Sequence, residues 1–174
     1  MLTVFYPYEY ANSVFAIDFE KLYSFGFRGI IFDIDNTLVF QDEDATEEVE
    51  KLFSFLKSVG FKTVILSNNG EERVRRFLKN IDSPFVCKAY KPFKHGYRKA
   101  LKAMNTEKEQ TVFIGDQLFT DIFGANRCKI KSILVRPIKK DGAKPLFRRT
   151  LEKPFILSYL NSGKYRHRLG NILK

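Results

Sequence analysis

The sequence predicts an α/β fold in which a parallel β-sheet carries helices on both faces. Short apolar runs that suit buried strands alternate strictly with segments of helical periodicity, and this alternation is typical of parallel strands joined by right-handed crossovers. The apolar run at residues 29–32 contains no charged residue, which suits a strand buried on both faces. With 174 residues, 44% of them hydrophobic, the chain is long enough for one domain with a full core.

The segment before this strand, residues 1–28, is rich in aromatic residues. Asp18 is expected to cap a short helix that ends at Gly26. The aromatic rings are expected to pack on the sheet, although tyrosines there would also suit a lipid interface. Residues 1–28 are therefore predicted to be an N-terminal segment that packs on the core.

The predicted core covers residues 29–135 and contains five strands. The first strand begins at Gly29, and Thr46 is expected to cap a helix that ends near Gly60. The other strands and helices follow in alternation, with strands at 61–67, 85–88, 111–115 and 131–135 and helices at 71–79, 94–104 and 120–127.

Residues 136–174 form a basic, amphipathic extension with 11 lysines and arginines against 2 acidic residues. Pro145 suits the first turn of a helix, and Pro154 is expected to break that helix or to start another. Such a stretch most often closes a core and leaves its charges as a solvated face, but an anionic membrane or a nucleic acid is an alternative partner. Its apolar residues are Leu146, Phe147, Leu151, Phe155, Ile156, Leu157, Tyr159 and Leu160, and they interleave with Arg148, Arg149 and Lys153.

Composition argues against an integral membrane protein and against a secreted one. No apolar run approaches the length of a membrane span, and no signal peptide is expected at the start. Cys87 and Cys128 lack a metal-binding spacing and are expected to be reduced thiols in the cytoplasm. The expected location is the cytoplasm, with peripheral contact at the inner face of the membrane as an option. His95 and His167 are isolated and are assigned to no site, and the oligomeric state is left open.

Asp33 and Asp35 stand two residues apart where the first strand ends, and Thr37 follows them. Carboxylates at the C-terminal end of a parallel strand lie where open α/β sheets bind ligands. Two like charges buried side by side cost free energy unless a cation or hydrogen bonds compensate. The alternative is a strand end that is merely capped by Asp and Thr. Only the motifs in the rest of the chain can distinguish a ligand-binding site from such a cap.

Three further positions complete a pattern. Ser67 ends the second strand, Lys91-Pro92 follows the third, and Gly115-Asp116 ends the fourth, with Asp121 five residues on. In this order, Asp-x-Asp-x-Thr, Ser, Lys and Gly-Asp-x4-Asp resemble the four motifs of the haloacid dehalogenase (HAD) superfamily. The resemblance covers about residues 29–135 and implies a three-layer Rossmann-like core whose five strands lie in the order 5-4-1-2-3.

The finer pattern is similar to subfamily IIIA of this superfamily, which lacks a cap domain, and within it to the YqeG-type branch. Relatives in that branch include phosphatidylglycerophosphate phosphatases. The stretches that carry this resemblance are residues 7–18, 29–39, 91–92 and 115–127. The end of the chain, residues 151–174, lies outside it.

The resemblance implies a catalytic role for both aspartates of the first motif. Asp33 would be the nucleophile that forms an aspartyl-phosphate, and Asp35 would protonate the leaving oxygen and then activate water. Mg²⁺ would be held by Asp33, by the backbone carbonyl of Asp35 and by Asp116, with Asp121 as a direct or water-mediated ligand.

The remaining motif residues would bind the phosphate. Ser67, Asn68 and nearby backbone N–H groups would donate hydrogen bonds to phosphate oxygens, and Lys91 would neutralise them as a point charge. Thr37 belongs to the same group and would orient the loop that carries Asp35.

The spacing between the motifs leaves no room for a cap domain, and an uncovered site suits a substrate presented on a surface. The leading prediction is a Mg²⁺-dependent phosphatase that converts phosphatidylglycerophosphate to phosphatidylglycerol. Two alternatives stay open: the same chemistry on a phosphosugar, nucleotide or phosphoprotein, or a basic RNA- or ribosome-binding module with a vestigial site.

Overall fold

The computed structural model describes residues 2–139 and 147–174, and their core is one parallel sheet between two layers of helices. The strands are β1 (Glu9–Ala11), β2 (Gly29–Phe32), β3 (Lys62–Leu66), β4 (Phe85–Val86), β5 (Thr111–Gly115) and β6 (Lys131–Val135). The helices are α1 (Phe19–Ser24), α2 (Glu47–Val59), α3 (Glu71–Phe77), α4 (Lys94–Met104), α5 (Phe123–Arg127) and α6 (Phe147–Leu160). The predicted α/β class with a parallel sheet is confirmed.

The sheet has six strands in the order β1-β6-β5-β2-β3-β4, so the prediction of five strands is wrong. The extra strand is β1, which pairs in parallel with β6 through Glu9 opposite Ile133 and Ala11 opposite Val135. It was missed because it is 3 residues long, contains a buried glutamate and shows no apolar run. The other five strands lie in the relative order that the resemblance implied.

Strand β2 lies in the middle of this sheet, between β3 and β5. Ile31 stands opposite Val64 on one side and opposite Phe113 on the other. The pairing continues past the strand, where the Asp33 N–H donates to the Ile114 carbonyl at 3.0 Å. The carboxyl ends of β2, β3 and β5 therefore meet at one edge of the molecule, which is where this class of sheet binds ligands.

The two faces of β2 bury different side chains, as expected from the period-two geometry of a strand. Ile30 and Phe32 face the larger core, which α2 closes with Leu52 and Leu56. Ile31 faces the other core, which Tyr97 and Met104 of α4 cover together with Phe113. All four residues of β2 are buried, which explains its unbroken apolar run.

The predicted helix ends are confirmed where capping chemistry defines them. Asp18 accepts a hydrogen bond from the Lys21 N–H and begins α1. Thr46 accepts one from the Val49 N–H and begins α2, and Gly60 ends α2 with φ at 108°, a left-handed conformation that glycine adopts without a Cβ penalty. These caps set the positions of the two helices on the larger core.

The C-terminal residues belong to the same packed unit as the sheet. Tyr159, Leu169 and Ile172 are buried, with Ile172 fully inaccessible to solvent. The Asp18 N–H donates to the Ile172 carbonyl at 2.7 Å, and the Lys174 N–H donates to the Ala16 carbonyl at 2.9 Å. The amphipathic stretch therefore closes a core.

Helix α6 runs through Pro154, so the prediction of a break there is wrong. Proline removes one N–H donor and costs about 3 kcal/mol inside a helix. The packing of Phe155 and Tyr159 against the rest of the protein compensates for that loss. The predicted helix start at Pro145 and the residue Leu146 lie outside the described residues, as do the side chains of Phe147, Arg148 and Arg149.

The aromatic N-terminal segment packs mainly against the protein. Phe5 contacts Phe119, Phe123 and Phe155, with ring centroids 4.8–5.6 Å apart, while Phe25 is exposed. Within residues 2–139 and 147–174, no helix combines the length and apolar character that crossing a membrane requires.

Candidate active site

A cavity of about 330 Å³ opens at the carboxyl ends of β2, β3 and β5. Five of the residues predicted for the site line it: Asp33, Asp35, Ser67, Asn68 and Lys91. The other lining residues are Asn36, Gln41, Asn69, Gln117, Thr120 and Glu152. The strand-end motifs thus converge on one place, as the sequence predicts.

Three carboxylates form a buried group beneath this cavity. Asp33, Asp116 and Asp121 each offer one oxygen, and the three oxygens lie within 4.8 Å of one another. Asp121 is fully buried, and a turn over Leu118–Ile122 places it, with its side chain accepting a hydrogen bond from the Gln117 N–H at 3.1 Å. A Cβ on Gly115 would lie 2.5 Å from Asp121 Oδ2, so the glycine of this motif makes room for the carboxylate.

The Lys91 ammonium lies among these carboxylates. Its Nζ atom is 2.5 Å from Asp33 Oδ1 and 2.7 Å from Asp121 Oδ1. Burial disfavours the charged form of Lys91, but the carboxylates of Asp121 and Asp33 outweigh burial, so the pKa of Lys91 is raised. Burial raises the pKa of Asp33 to about 6, although the neighbouring Lys91 opposes this shift. The site therefore holds its charges in a buried network.

These three carboxylates fit a divalent metal ion such as Mg²⁺. They supply hard oxygen ligands, and one ammonium cannot neutralise three buried negative charges. Asp121 Oδ1 is buried and receives no well-aligned hydrogen bond, even though Lys91 Nζ is 2.7 Å away. The Asp35 carboxylate stands outside this group, so the expected contribution of Asp35 through its backbone carbonyl stays a prediction.

The Asp35 carboxylate has its own set of donors, and none of these three residues was predicted from the sequence. Asn69 Nδ2 donates to Oδ2 at 2.5 Å, while Arg73 Nη2 and the Asp42 N–H each donate to Oδ1 at 3.0 Å. Asn69 directly follows the predicted Ser67-Asn68 pair, so its position was a usable signal. Arg73 carried no such signal among the many arginines of the chain.

Asn68 supports the position of Lys91. Its side-chain oxygen accepts a hydrogen bond from the Lys91 N–H at 2.7 Å, next to the cis peptide bond between Lys91 and Pro92. Asn68 was predicted to bind phosphate; it does line the cavity, but its amide is engaged by the backbone of Lys91.

Thr37 and Ser67 are both buried. The Thr37 hydroxyl lies 3.1 Å from Asp33 Oδ2 and 3.3 Å from Asp116 Oδ1, so it orients two carboxylates and is not among the residues that line the cavity. Ser67 lines the cavity, and its oxygen accepts a hydrogen bond from the Asn69 N–H at 3.1 Å. Ser67 is thus better placed than Thr37 to meet a phosphate.

Glu152, from α6, is a lining residue that the motifs could not reveal. It is buried, and its Oε1 accepts a hydrogen bond from the Leu118 N–H at 2.8 Å, at the start of the turn that carries Asp121. One signal existed in the sequence, because residues 136–174 contain only 2 acidic residues. An acidic residue in a strongly basic segment is a candidate for a specific contact.

Comparison with known proteins agrees with this geometry. The family model of the haloacid dehalogenase-like hydrolases matches residues 40–129. A probable phosphatase, YqeG of Bacillus subtilis (strain 168), is 39% identical over 161 residues, which cover 91% of this chain and 94% of that protein. The chain belongs to the haloacid dehalogenase-like hydrolases. The predicted enzyme class, a phosphatase of this family, is confirmed.

Solved structures show the same fold as this HAD-like hydrolase. An uncharacterized protein from Listeria monocytogenes serotype 4b has a TM-score of 0.53 at 20% identity, covering 75% of this chain and 97% of that one. The cobalt-bound deoxy-D-mannose-octulosonate 8-phosphate phosphatase of Haemophilus influenzae has a TM-score of 0.51 at 14% identity, covering 80% and 91%. At these identities the likeness concerns the fold alone.

Proposed function

We propose that this HAD-like phosphatase hydrolyses phosphate monoesters through an aspartyl-phosphate formed on Asp33. The observation that carries the proposal is the position of Asp33. Its carboxylate lies at the end of β2, lines the cavity, and shares a buried group with Asp116 and Asp121 beside the Lys91 ammonium. A carboxylate fixed in such a place can attack a phosphorus atom held in the cavity.

The reaction would proceed in two displacements. In the first, an Asp33 oxygen attacks phosphorus, the bond to the leaving alkoxide breaks, and Asp35 gives that alkoxide a proton. In the second, water attacks the phosphorus of the aspartyl-phosphate while Asp35 takes a proton from the water. The bond between phosphorus and the Asp33 oxygen then breaks, which releases inorganic phosphate and restores the carboxylate.

Charge balance supports a role for Mg²⁺ in this site. A phosphate dianion would enter a cavity whose floor already holds three carboxylates and one ammonium. Bound Mg²⁺ would supply the positive charge that stabilises the phosphoryl oxygens. Asp33, Asp116 and Asp121 would hold the ion, and Lys91 and Ser67 would bind the remaining phosphate oxygens.

We further propose phosphatidylglycerophosphate as the substrate. The resemblance to the YqeG-type branch motivates this choice, and access to the cavity is compatible with it. Between the motifs, residues 38–45 form a loop, and residues 68–90 hold only α3 and β4, so we infer that the site works without a cap domain. A headgroup at a lipid surface could then reach Asp33 directly.

Helix α6 would be the part of the protein that meets the lipid. Glu152 lines the cavity, while Leu151 and Leu157 on the same helix are 50% and 59% exposed. Exposed apolar side chains next to lysines and arginines favour adsorption to an anionic surface. Phe155 and Ile156 are partly buried against Leu118 and its neighbours, so the more exposed Leu151 and Leu157 are the better candidates for such a contact.

A phosphate-release screen tests the function and the substrate together. Purified protein with Mg²⁺ is offered phosphatidylglycerophosphate in mixed vesicles, a phosphosugar, a nucleotide and a phosphopeptide. We expect the lipid to have the highest kcat/KM, and we expect Asp33→Asn to abolish phosphate release from every substrate. A soluble phosphate ester as the best substrate would reject the lipid and retain the chemistry. Release that is unchanged in Asp33→Asn would reject the chemistry.

The RNA- or ribosome-binding alternative predicts something different. A vestigial site has no need to keep three buried carboxylates and an ammonium together, because each costs desolvation free energy. The same screen addresses this alternative, since a binding module would release no phosphate from any substrate.

A further inference from the structure

Arg73 in the first turn of α3 is a buried cation held on several sides. Its side chain is 10% exposed, and its Nη2 atom lies 3.0 Å from Asp35 Oδ1 and 2.7 Å from the Glu43 carbonyl oxygen. Its Nε atom is 3.3 Å from Asp42 Oδ1, and the ring of Phe77 lies 5.9 Å from the guanidinium carbon. Nη2 is the donating nitrogen of this guanidinium, because Nε and Nη1 are buried and have no hydrogen-bond partner among the described residues.

The same guanidinium acts on Asp35 in two ways. It donates directly to Asp35 Oδ1, and through the Glu43 carbonyl it contacts the loop whose Asp42 N–H donates to the same oxygen at 3.0 Å. Arg76 holds this loop as well, because its guanidinium pairs with the carboxylates of Asp42 and Asp44 at 2.7 Å. Without Arg73, the direct contact to Asp35 is lost, and the loop at 42–44 loses one of the two arginines that hold it. The hydrogen bond from Asn69 involves neither Arg73 nor this loop.

Orientation of Asp35 matters because a proton moves only between groups within hydrogen-bond reach. The Asp35 side chain is 22% exposed at the cavity wall, so packing alone does not restrict it as burial restricts Asp33 and Asp121. Small displacements of a catalytic group can cost about 100-fold in rate.

We propose that Arg73 is a positioning residue for Asp35. It holds the Asp35 carboxylate and the loop at 42–44 in the arrangement from which Asp35 exchanges protons with the leaving group and with water. The inference rests on the proposed function, since that function gives Asp35 its role.

The effect of losing Arg73 depends on the leaving group. An activated aryl oxygen departs without a proton, whereas a poor leaving group needs one. We expect Arg73→Ala to lower kcat about tenfold to 100-fold for phenyl phosphate and less than about threefold for p-nitrophenyl phosphate. Arg73→Lys keeps the charge and should recover part of the loss.

The experiment measures kcat for a series of aryl phosphates that spans leaving-group pKa, in the full chain with Mg²⁺. The variants are Arg73→Ala, Arg73→Lys, Asp35→Asn and the double variant Arg73→Ala/Asp35→Asn. Arg75→Ala is the matched control, because Arg75 lies on the same helix and pairs with the exposed Glu71. Arg75→Ala should behave as wild type.

A steeper dependence on leaving-group pKa in Arg73→Ala, with no further loss when it is added to Asp35→Asn, is the expected result. A uniform loss across the series, or losses that add in the double variant, would overturn the inference and show that Arg73 only stabilises the fold. Should Arg73→Ala fail to fold by circular dichroism, Arg73→Met keeps the apolar stem and replaces it. If Asp35→Asn leaves the dependence unchanged, the proposed function itself fails, and that outcome is recognisable without any Arg73 variant.

Discussion

Two regions of the molecule build the cavity, and they reach it by different routes. The strand ends of β2, β3 and β5 bring Asp33, Ser67 and Asp116 together because parallel strands place their carboxyl ends at one edge. Residues 147–174 reach the same place from the far end of the chain, where Glu152 binds the backbone of the turn that carries Asp121. Under the proposed function, the first region carries the chemistry, and the second supports it through packing.

The largest expected effect follows from deleting the second region together with residues 136–146, which precede it. Removing residues 136–174 takes Tyr159, Leu169 and Ile172 out of the core. Each large buried side chain contributes about 1.5–3 kcal/mol, and the sum approaches the whole free energy of unfolding of a typical domain, about 5–15 kcal/mol. We expect the chain ending at Val135 to show no cooperative thermal transition by circular dichroism, whereas Leu157→Ser should keep its transition. A cooperative transition in the truncated chain would contradict this prediction and show that the first region folds without the second.

The next effect tests the first region. Asp33→Asn removes the proposed nucleophile and should lower kcat for p-nitrophenyl phosphate at least about 1,000-fold. The fold should stay intact, because asparagine has the same shape. Asp82→Asn serves as a control, since Asp82 pairs with Lys57 at the exposed surface. Activity within tenfold of wild type in Asp33→Asn would mean that the strand end does not carry the chemistry.

Some residues of the site could be predicted from the sequence, and others could not. Asp33, Ser67, Lys91 and Asp116 were predictable because each sits at or next to a strand end, where topology determines the neighbours. Arg73 was not, because its contact with Asp35 depends on how α3 faces the loop at 42–44.

The same reasoning explains the missed parts of the fold. Strand β1 has 3 residues and joins the sheet only through β6, so its pairing leaves no local pattern. Pro154 predicts a break from local geometry, and long-range packing of α6 outweighs it. Contacts between distant segments decided every one of these cases.

Metal binding should depend on pH, with an effect of about tenfold per pH unit. The pKa of Asp33 is raised to about 6, so below that pH the carboxyl carries a proton that competes with Mg²⁺. Mg²⁺ affinity by calorimetry should therefore be constant above about pH 7 and fall as the pH drops below about 6. A flat affinity from pH 5 to pH 7 would contradict the role of Asp33 as a ligand.

Chelator should abolish activity, Mg²⁺ should restore it, and Ca²⁺ should inhibit because it prefers more ligands at longer distances.

A smaller effect is expected where the two regions touch. Glu152→Ala removes the acceptor for the Leu118 N–H and should weaken Mg²⁺ binding about tenfold through the turn that carries Asp121. Glu152→Gln keeps an oxygen in place and should weaken it less than about threefold. Lys153→Gln is the exposed neighbour on the same helix and should change nothing. Equal Mg²⁺ affinity in all three variants would show that Glu152 does not affect the metal site and that the second region contributes only packing.

The smallest effect concerns the outer face of α6. Leu151→Ser/Leu157→Ser should reduce binding to anionic vesicles about threefold to tenfold in a flotation assay, because two exposed apolar side chains are lost. Phe55→Ser, at an exposed apolar position on α2, is the matched control. Turnover of p-nitrophenyl phosphate should be unchanged in both. If the wild-type protein binds RNA and no vesicles, the basic C-terminal extension binds nucleic acid and not lipid.

Both margins of the sheet end in very short strands, with 3 residues in β1 and 2 in β4. At β1 the C-terminal segment lies against the chain that leads into the strand, where the Arg168 N–H donates to the Tyr8 carbonyl and the guanidinium donates to the carbonyls of Tyr6 and Pro7. A long open margin is what allows one sheet to recruit another and grow into fibrils. The C-terminal segment therefore covers the chain beside one margin, which leaves less of the sheet edge open to that kind of pairing.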